Sequence, residues 1–395
     1  YDPQAICCSN LYGETMELYQ QGYLEIPEDV ILIWADNGFG KMVSRRQGDH
    51  NPRVYALPPK DHTGKHGIYY HVSFYDLQAA AQMTMLPNAP EFVETELQTV
   101  QELGVTDYWI INCSNVKPHA YYLDLIARIW RGGETVDFTA SYCRETYGAE
   151  AGGVMEALYR MWPKVSPSYG PNADDHAGEQ FANHGARVLV SAQIAGCDPA
   201  DPERTAAARE WKWFSDKETL REQTTDYLQI IEPALTQYEQ YLTKCREAED
   251  QLSLPRRVQA EDTLIWQVEY LYYSYLGALH SCRAILTISD PLEAFYEAGL
   301  AMQAFQTGYE MMRSHEHGVF VGFFANDCEA DIRQSGYVLK GLMSFLRIRA
   351  DGPHFYKWQR LFQDGAGGDR VLLILRTKKH LTDEELWRLM NEKRK

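Results

Sequence analysis

Val30-Ile31-Leu32-Ile33-Trp34-Ala35-Asp36-Asn37-Gly38 is the stretch from which the fold follows. The run is apolar without a break, then gives way to a carboxylate, an amide and a glycine. A surface helix would interrupt it every three or four residues, and a half-exposed strand every second. An unbroken run suits a strand buried on both faces, as in a parallel sheet. Gly67-Ile68-Tyr69-Tyr70-His71-Val72 and Tyr108-Trp109-Ile110-Ile111-Asn112 read the same way. Between them lie helical patterns. Residues 10–22 carry Leu11, Leu18 and Tyr19 and end at Gly22. Residues 90–103 start at Pro90 and stop at Gly104, and 118–131 run from Pro118 to Gly132-Gly133. The order is α-β-loop-β-α-β-α, which means parallel α/β units. A closed barrel needs eight strands, and the pattern alone also admits an open doubly wound sheet. The first helix precedes the first clear strand, so residues 1–133 read as a fragment of a larger α/β domain. Ala5-Ile6-Cys7-Cys8 fits the end of one further strand.

From residue 134 onward the period changes. Residues 217–251 and 258–288 carry long apolar stripes, separated by Pro255. Further helices are expected over 291–313, after Asp290-Pro291, and over 329–349. Residues 134–350 therefore read as an antiparallel helical bundle. Residues 351–395 form a short carboxyl-terminal segment, with a strand from Val371 to Leu375 and a charged last helix.

The chain has 395 residues, 45% of them hydrophobic, with a net charge of -17. That charge argues against nucleic acid and anionic membrane surfaces as partners, and no run approaches the ~18 apolar residues of a membrane span. Eight cysteines without finger or C-x-x-C spacing read as reduced and intracellular, so a cytoplasmic location is expected. The chain starts at Tyr1, which leaves secretion open. No cofactor and no metal site is expected. The composition leaves a homodimer open.

In parallel α/β architectures the site gathers at the carboxyl ends of the strands. The first strand delivers Asp36-Asn37-Gly38, the second His71 and Ser73 with Asp76 beyond, and the third Asn112, Asn115, Lys117 and His119. These are hydrogen-bonding groups suited to a polyhydroxylated ligand. Asp36 and Asp76 are the candidate catalytic carboxylates. Trp34, Asn37, Tyr70, His71, Asn112, Asn115, Lys117 and His119 are the candidate binding residues. The plainer readings stand beside these: Asp36 as a loop cap, and His71 as a satisfied core histidine. The loop 41–66 holds six Lys/Arg against two Asp, a local excess of +4, together with His50, His62 and His66. Its Arg45 and Arg46 suit an anionic substrate such as a uronic acid, because guanidinium binds carboxylate bidentately. A solvated loop would look the same.

Three stretches resemble one family. Pro27-Glu28-Asp29-Val30 through Trp34-Ala35-Asp36-Asn37-Gly38-Phe39-Gly40 resembles the "P-D-D-V-T-L-x-W-x-D-D-N-(W/Y)-G" segment of glycoside hydrolase family 115, the xylan α-1,2-glucuronidases. Gly67-Ile68-Tyr69-Tyr70-His71 is similar to its "G-(V/I)-Y-Y-H" strand, and Trp109-Ile110-Ile111-Asn112-Cys113-Ser114-Asn115-Val116-Lys117-Pro118 to its "W-I-V-N-V-G-D-(L/I)-K-P" strand. The resemblance implies that residues 1–133 are the last three or four units of a (β/α)8 TIM-type barrel, followed by a helical bundle, with an amino-terminal domain and the first barrel strands absent. It also implies inverting hydrolysis of glucuronic acid side groups, with Asp36, Tyr70, His71, Asn112 and Lys117 at matching positions. At two positions a family carboxylate is an amide here, Asn37 and Asn115. An amide binds but does not exchange protons near neutral pH. The expectation is therefore a glycoside hydrolase acting on a uronic-acid-bearing plant polysaccharide or oligosaccharide. The alternative is a carbohydrate-binding or inactive homologue.

Overall fold

The computed structural model describes residues 2, 5–45, 52–74, 78–113, 116–198, 200–325, 332–350 and 381–394. The elements in chain order begin β1 (Cys8–Leu11), α1 (Glu14–Gln20), β2 (Ile31–Ala35) and β3 (His66–His71). Next come α2 (Pro90–Glu102), β4 (Tyr108–Asn112), α3 (Val116–Trp130), α4 (Phe138–Tyr159), the one-turn α5 (Trp162–Val165) and α6 (Glu179–Gly196). The remainder is helical: α7 (Leu220–Glu249), α8 (Leu254–Ala260), α9 (Trp266–Leu286), α10 (Pro291–Ser314), α11 (Ile332–Ala350) and α12 (Asp383–Arg394). The protein is thus α/β with a large helical complement. The chain divides into two compact units: Tyr1–Phe181 with Thr236–Leu271, and Ala182–Leu235 with Tyr272–Lys395.

The sheet belongs to the first unit. Its four strands are all parallel and stand in sequence order, β1-β2-β3-β4. A doubly wound sheet reverses its strand order, and these four strands do not. Registers align Asn10, Ile33, Gly67 and Tyr108 across the sheet, and Ala35, Tyr69 and Ile110 likewise. Side chains alternate along each strand, so one face carries Asn10, Ala35, Tyr69, His71 and Asn112. The other carries Leu11, Trp34, Ile68, Tyr70 and Trp109. Helices cover this second face: the Tyr19 ring of α1 meets Trp34 at 5.9 Å, and the Trp130 ring of α3 meets Trp109 at 4.7 Å. Glycine is required at position 67, where an added Cβ would lie 1.8 Å from the Tyr108 carbonyl oxygen.

The structure corrects several sequence expectations. The additional strand runs Cys8–Leu11, three residues beyond Ala5–Cys8, so the first helix starts at Glu14 rather than 10. β2 is buried throughout, but β4 is an edge strand, and Tyr108 is 48% exposed. The helix expected over 258–288 is broken by a π turn at Glu261–Ile265. The strand expected from Val371 to Leu375 lies outside the described residues. In the second unit α10 starts on Asp290, whose carboxylate accepts the amides of Leu292 and Glu293. Trp387 of α12 seats against α10 at Gly299, donating its indole N–H to the Tyr296 carbonyl at 3.0 Å. No helix among the described residues is long and apolar enough to cross a membrane.

Candidate functional site

Beyond β2 the chain turns sharply through Asp36-Asn37-Gly38-Phe39-Gly40. Gly38 and Gly40 both have positive φ, +84° and +78°. Side-chain oxygens fill the role of a regular ladder here. Asn37 Oδ1 accepts the amides of Phe39 and Lys41, at 3.0 and 3.2 Å. Asp36 Oδ2 accepts the Gly40 amide at 2.8 Å. Asn37 Nδ2 donates to Asp174 Oδ2 at 2.8 Å, and the Arg53 guanidinium reaches the same carboxylate at 2.7 Å. The amide at position 37, where the resemblance has a carboxylate, is therefore the donor that a buried Asp174 requires.

The remaining oxygen of Asp36 accepts a hydrogen bond from His71 Nδ1 at the end of β3. Both side chains are almost without exposure, 0% for Asp36 and 2% for His71. Asp36 Oδ1 thus fixes the tautomer with hydrogen on Nδ1 and leaves Nε2 as the second functional atom of the ring. Among the described residues Nε2 has no hydrogen-bond partner.

A hollow of about 460 Å³ opens at these strand ends. Its described lining is Asn10, Tyr12, Ala35, Tyr69, His71, Phe74 and Asn112. Of the residues expected from sequence, it therefore brings together His71 and Asn112. Asp36 lies beneath His71. Trp34 and Tyr70 are on the helix-covered face: the Trp34 indole donates to His66 Nδ1 at 3.0 Å, and the Tyr70 hydroxyl to the Gly40 carbonyl at 3.0 Å. Burial raises the Tyr70 phenol well above its ordinary range. Asn37 is buried in its turn. His119 is fully buried, donates from Nε2 to the Gln82 carbonyl at 2.9 Å, and has its pKa lowered to about 4 by desolvation. Lys117 Nζ lies 3.7 Å from Asp262 on the π turn. Asp76, Asn115 and Arg46 lie outside the described residues, as does His50.

The basic loop is less open to an anion than its sequence suggests. Lys41 pairs with Glu96, and Arg53 with Asp174. Arg45 is buried between the rings of Phe39 and Phe74, at 4.9 and 5.6 Å, and donates to Gln78 Oε1 at 2.7 Å. His62 and His66 sit at the start of β3, the end opposite the hollow, where His66 Nε2 donates to the Thr63 carbonyl at 2.9 Å. No cluster of metal-ligating side chains occurs among the described residues.

Sequence reasoning missed Asn10, Tyr12, Tyr69 and Phe74. The signal was present for Tyr69: two-residue alternation places it with His71 and turns Tyr70 away. It was weak for Asn10 and Tyr12, one within and one just beyond a strand with little apolar character. Behind the hollow, residues 79–88 form a buried connector without regular structure. Glu179 accepts the amides of Gln82 and Met83 and the Thr84 hydroxyl, each at 2.7 Å. Gln267 accepts the Met85 amide at 2.8 Å, and Trp162 donates to the Leu86 carbonyl at 2.8 Å.

Comparison with known proteins bears on the first part of the chain. The model of the family described as Glycosyl hydrolase family 115 matches residues 2–169. Among solved structures the chain is similar to BtGH115A, described as a family 115 4-O-methyl-α-glucuronidase with specificity for decorated arabinogalactans. The identity is 15%, the TM-score 0.46, and the match covers 86% of this chain and 38% of that one. The chain thus spans well under half the length of that structure. No curated protein matches.

Proposed function

We propose, from the premise that residues 2–169 belong to glycosyl hydrolase family 115, that the protein is a glycoside hydrolase acting on a glycan decorated with glucuronic acid. The observation that carries this reading is the hollow at the carboxyl ends of four parallel strands, where amides and aromatic rings surround the Asp36–His71 pair. Hydrolysis with inversion uses an acid and a base on opposite sides of the scissile bond, roughly 6.5–9.5 Å apart. Asp36 acts through His71: it holds the ring so that Nε2 faces the reactants, accepting a proton when neutral and donating one when protonated. Asp76 is the proposed second carboxylate. His71 and Asn112 contact the glycan, with Arg45, Asn37 and Tyr70 holding the turn after β2, while Trp34 and His119 pack away from the hollow. Arg46, Asn115 and Lys117 remain candidates for the uronate. In the same reading the sheet is part of a (β/α)8 barrel over 1–133, and 134–350 form an antiparallel bundle.

The test is turnover on aldouronic acids. Release of uronate that is lost in His71→Asn supports the reading. Binding without any release would sink it. That outcome belongs to the second reading, a carbohydrate-binding homologue, which one observation favours: among the described residues no carboxylate lines the hollow.

A further inference from the structure

A second lined space lies within the second unit, on residues beyond the 2–169 that match the family model. His184, Arg187 and Ser191 occupy one face of α6 at helical spacing. Arg209 and Glu210 line it from the short turn before α7, and Val338 of α11 completes the wall that Val188 begins. The space measures about 440 Å³, within the ~300–1,000 Å³ of small-molecule sites. Its frame is tightly tied. Gln223 accepts the Ala208 amide at 2.7 Å and donates to the Ala208 carbonyl at 3.2 Å, beside a fully buried Trp211. Ser335 of α11 donates to the Asn183 carbonyl of α6 at 3.0 Å.

We propose that this space binds a uronic acid residue of the glycan, as a site separate from the strand-end hollow. The choice of a uronic acid among hydroxy acids rests on the function proposed above. The recognition rests on the lining. Among the described residues, the side chains of His184, Ser191, Arg209 and Glu210 have no hydrogen-bond or ion-pair partner. Two guanidiniums face one carboxylate, which leaves one positive charge in excess. That suits a monoanion, and Arg209 can take its carboxylate bidentately. A dianion such as phosphate meets Glu210 as well, and is disfavoured. Burial, and then the charge of Arg187, lower His184 to about 4, so its imidazole is neutral near pH 7. A neutral ring gives one donor and one acceptor. With the Ser191 hydroxyl and the Glu210 carboxylate it provides both roles that sugar hydroxyls need. Val188 and Val338 offer an apolar surface to the C–H face of the ring.

Methyl NMR of the whole chain, read at Val188 and Val338, tests the proposal. Methyl glucuronoside, methyl glucoside and inorganic phosphate are titrated separately. The glucuronoside is expected to shift both valines with an affinity at least about tenfold above either other probe, and that affinity should fall with salt. Arg209→Ala should weaken it about tenfold or more. Arg209 is exposed, so its removal tests recognition rather than folding. Lys212→Ala removes a nearby cation that pairs with Glu218, and should leave the affinity unchanged. An equal response to the glucoside, an equal response to phosphate, no response to any probe, or an Arg209→Ala variant that binds as the parent does overturns the proposal. Uronate release from an aldouronic acid with both valines unmoved by glucuronoside overturns it and leaves the hydrolase reading standing. Glucuronoside-specific shifts without release uphold it and end the hydrolase reading.

Discussion

His71 donates its Nδ1 hydrogen to one oxygen of Asp36, and the other oxygen of Asp36 accepts the Gly40 amide. Both acceptor positions of a fully buried carboxylate are therefore filled by donors that cannot turn away. Asp36→Asn replaces one acceptor by an NH₂ group, which sets donor against donor at either His71 or Gly40. The variant is expected to lose about 1–3 kcal/mol of stability, seen as a lower urea midpoint at unchanged slope. Unchanged turnover in the same variant would remove Asp36 from the mechanism.

Asn37→Asp restores the carboxylate that the family resemblance has at this position, yet it is expected to be harmful. Asp174 lies 2.8 Å from the Asn37 amide nitrogen and already holds Arg53. Two carboxylates at that distance cannot both be ionised. The variant should lose about 3 kcal/mol near neutral pH. The pair can relieve itself only by taking up a proton, so the deficit should shrink as pH falls and widen as it rises. Denaturation of both proteins at pH 5 and pH 8 checks the sign.

Gly38→Ala separates backbone strain from site geometry. A Cβ there would sit 2.4 Å from Phe74 Cδ1, on a residue with φ +84°. Gly22 has φ +77° and nothing within 4 Å of its Cβ position. Gly22→Ala should cost only the left-handed penalty, about 1–2 kcal/mol, and leave sugar binding intact. Gly38→Ala should cost that and also weaken binding, because Phe74 must move from the wall of the hollow. Equal binding by the two variants would contradict the placement of Phe74.

His119 sets an acid-side slope in stability. Its folded pKa is about 4, against an ordinary 6.5, because burial disfavours the imidazolium. Between those values the unfolded chain binds the proton and the folded one does not, so stability falls as pH drops through 6.5 toward 4. From pH 7 to pH 5 this amounts to about 2 kcal/mol. His119→Leu should be less stable at pH 7, through loss of the Gln82 hydrogen bond, but should show a smaller further loss on going to pH 5. His184, also lowered to about 4 by burial, remains as a second contributor.

The sheet was legible because β2, β3 and β4 are unbroken apolar runs, and their ends fall within a residue of the structure. β1 was not, since Cys8-Ser9-Asn10-Leu11 has no apolar run, and the helical pattern over 10–22 takes in its last two residues. α4 gives no clear stripe, because Gly148 breaks its helical backbone with φ +79°. In the site, the strand-end rule found His71 and Asn112. It could not show which cations are neutralised, because Glu96 is 55 residues from Lys41 and Asp174 is 121 from Arg53. Such pairings exist only once the chain is folded.

The connector over 79–88 has a consequence for dynamics. Its amides at Gln82, Met83 and Met85 are bonded to side chains of Glu179 and Gln267, which lie far away in sequence. Hydrogen exchange there should be as slow as in the helices that supply those side chains, although the segment has no ladder of its own. Protection would vanish together at all three amides when the tertiary packing opens, so this irregular stretch should report global unfolding rather than local fraying.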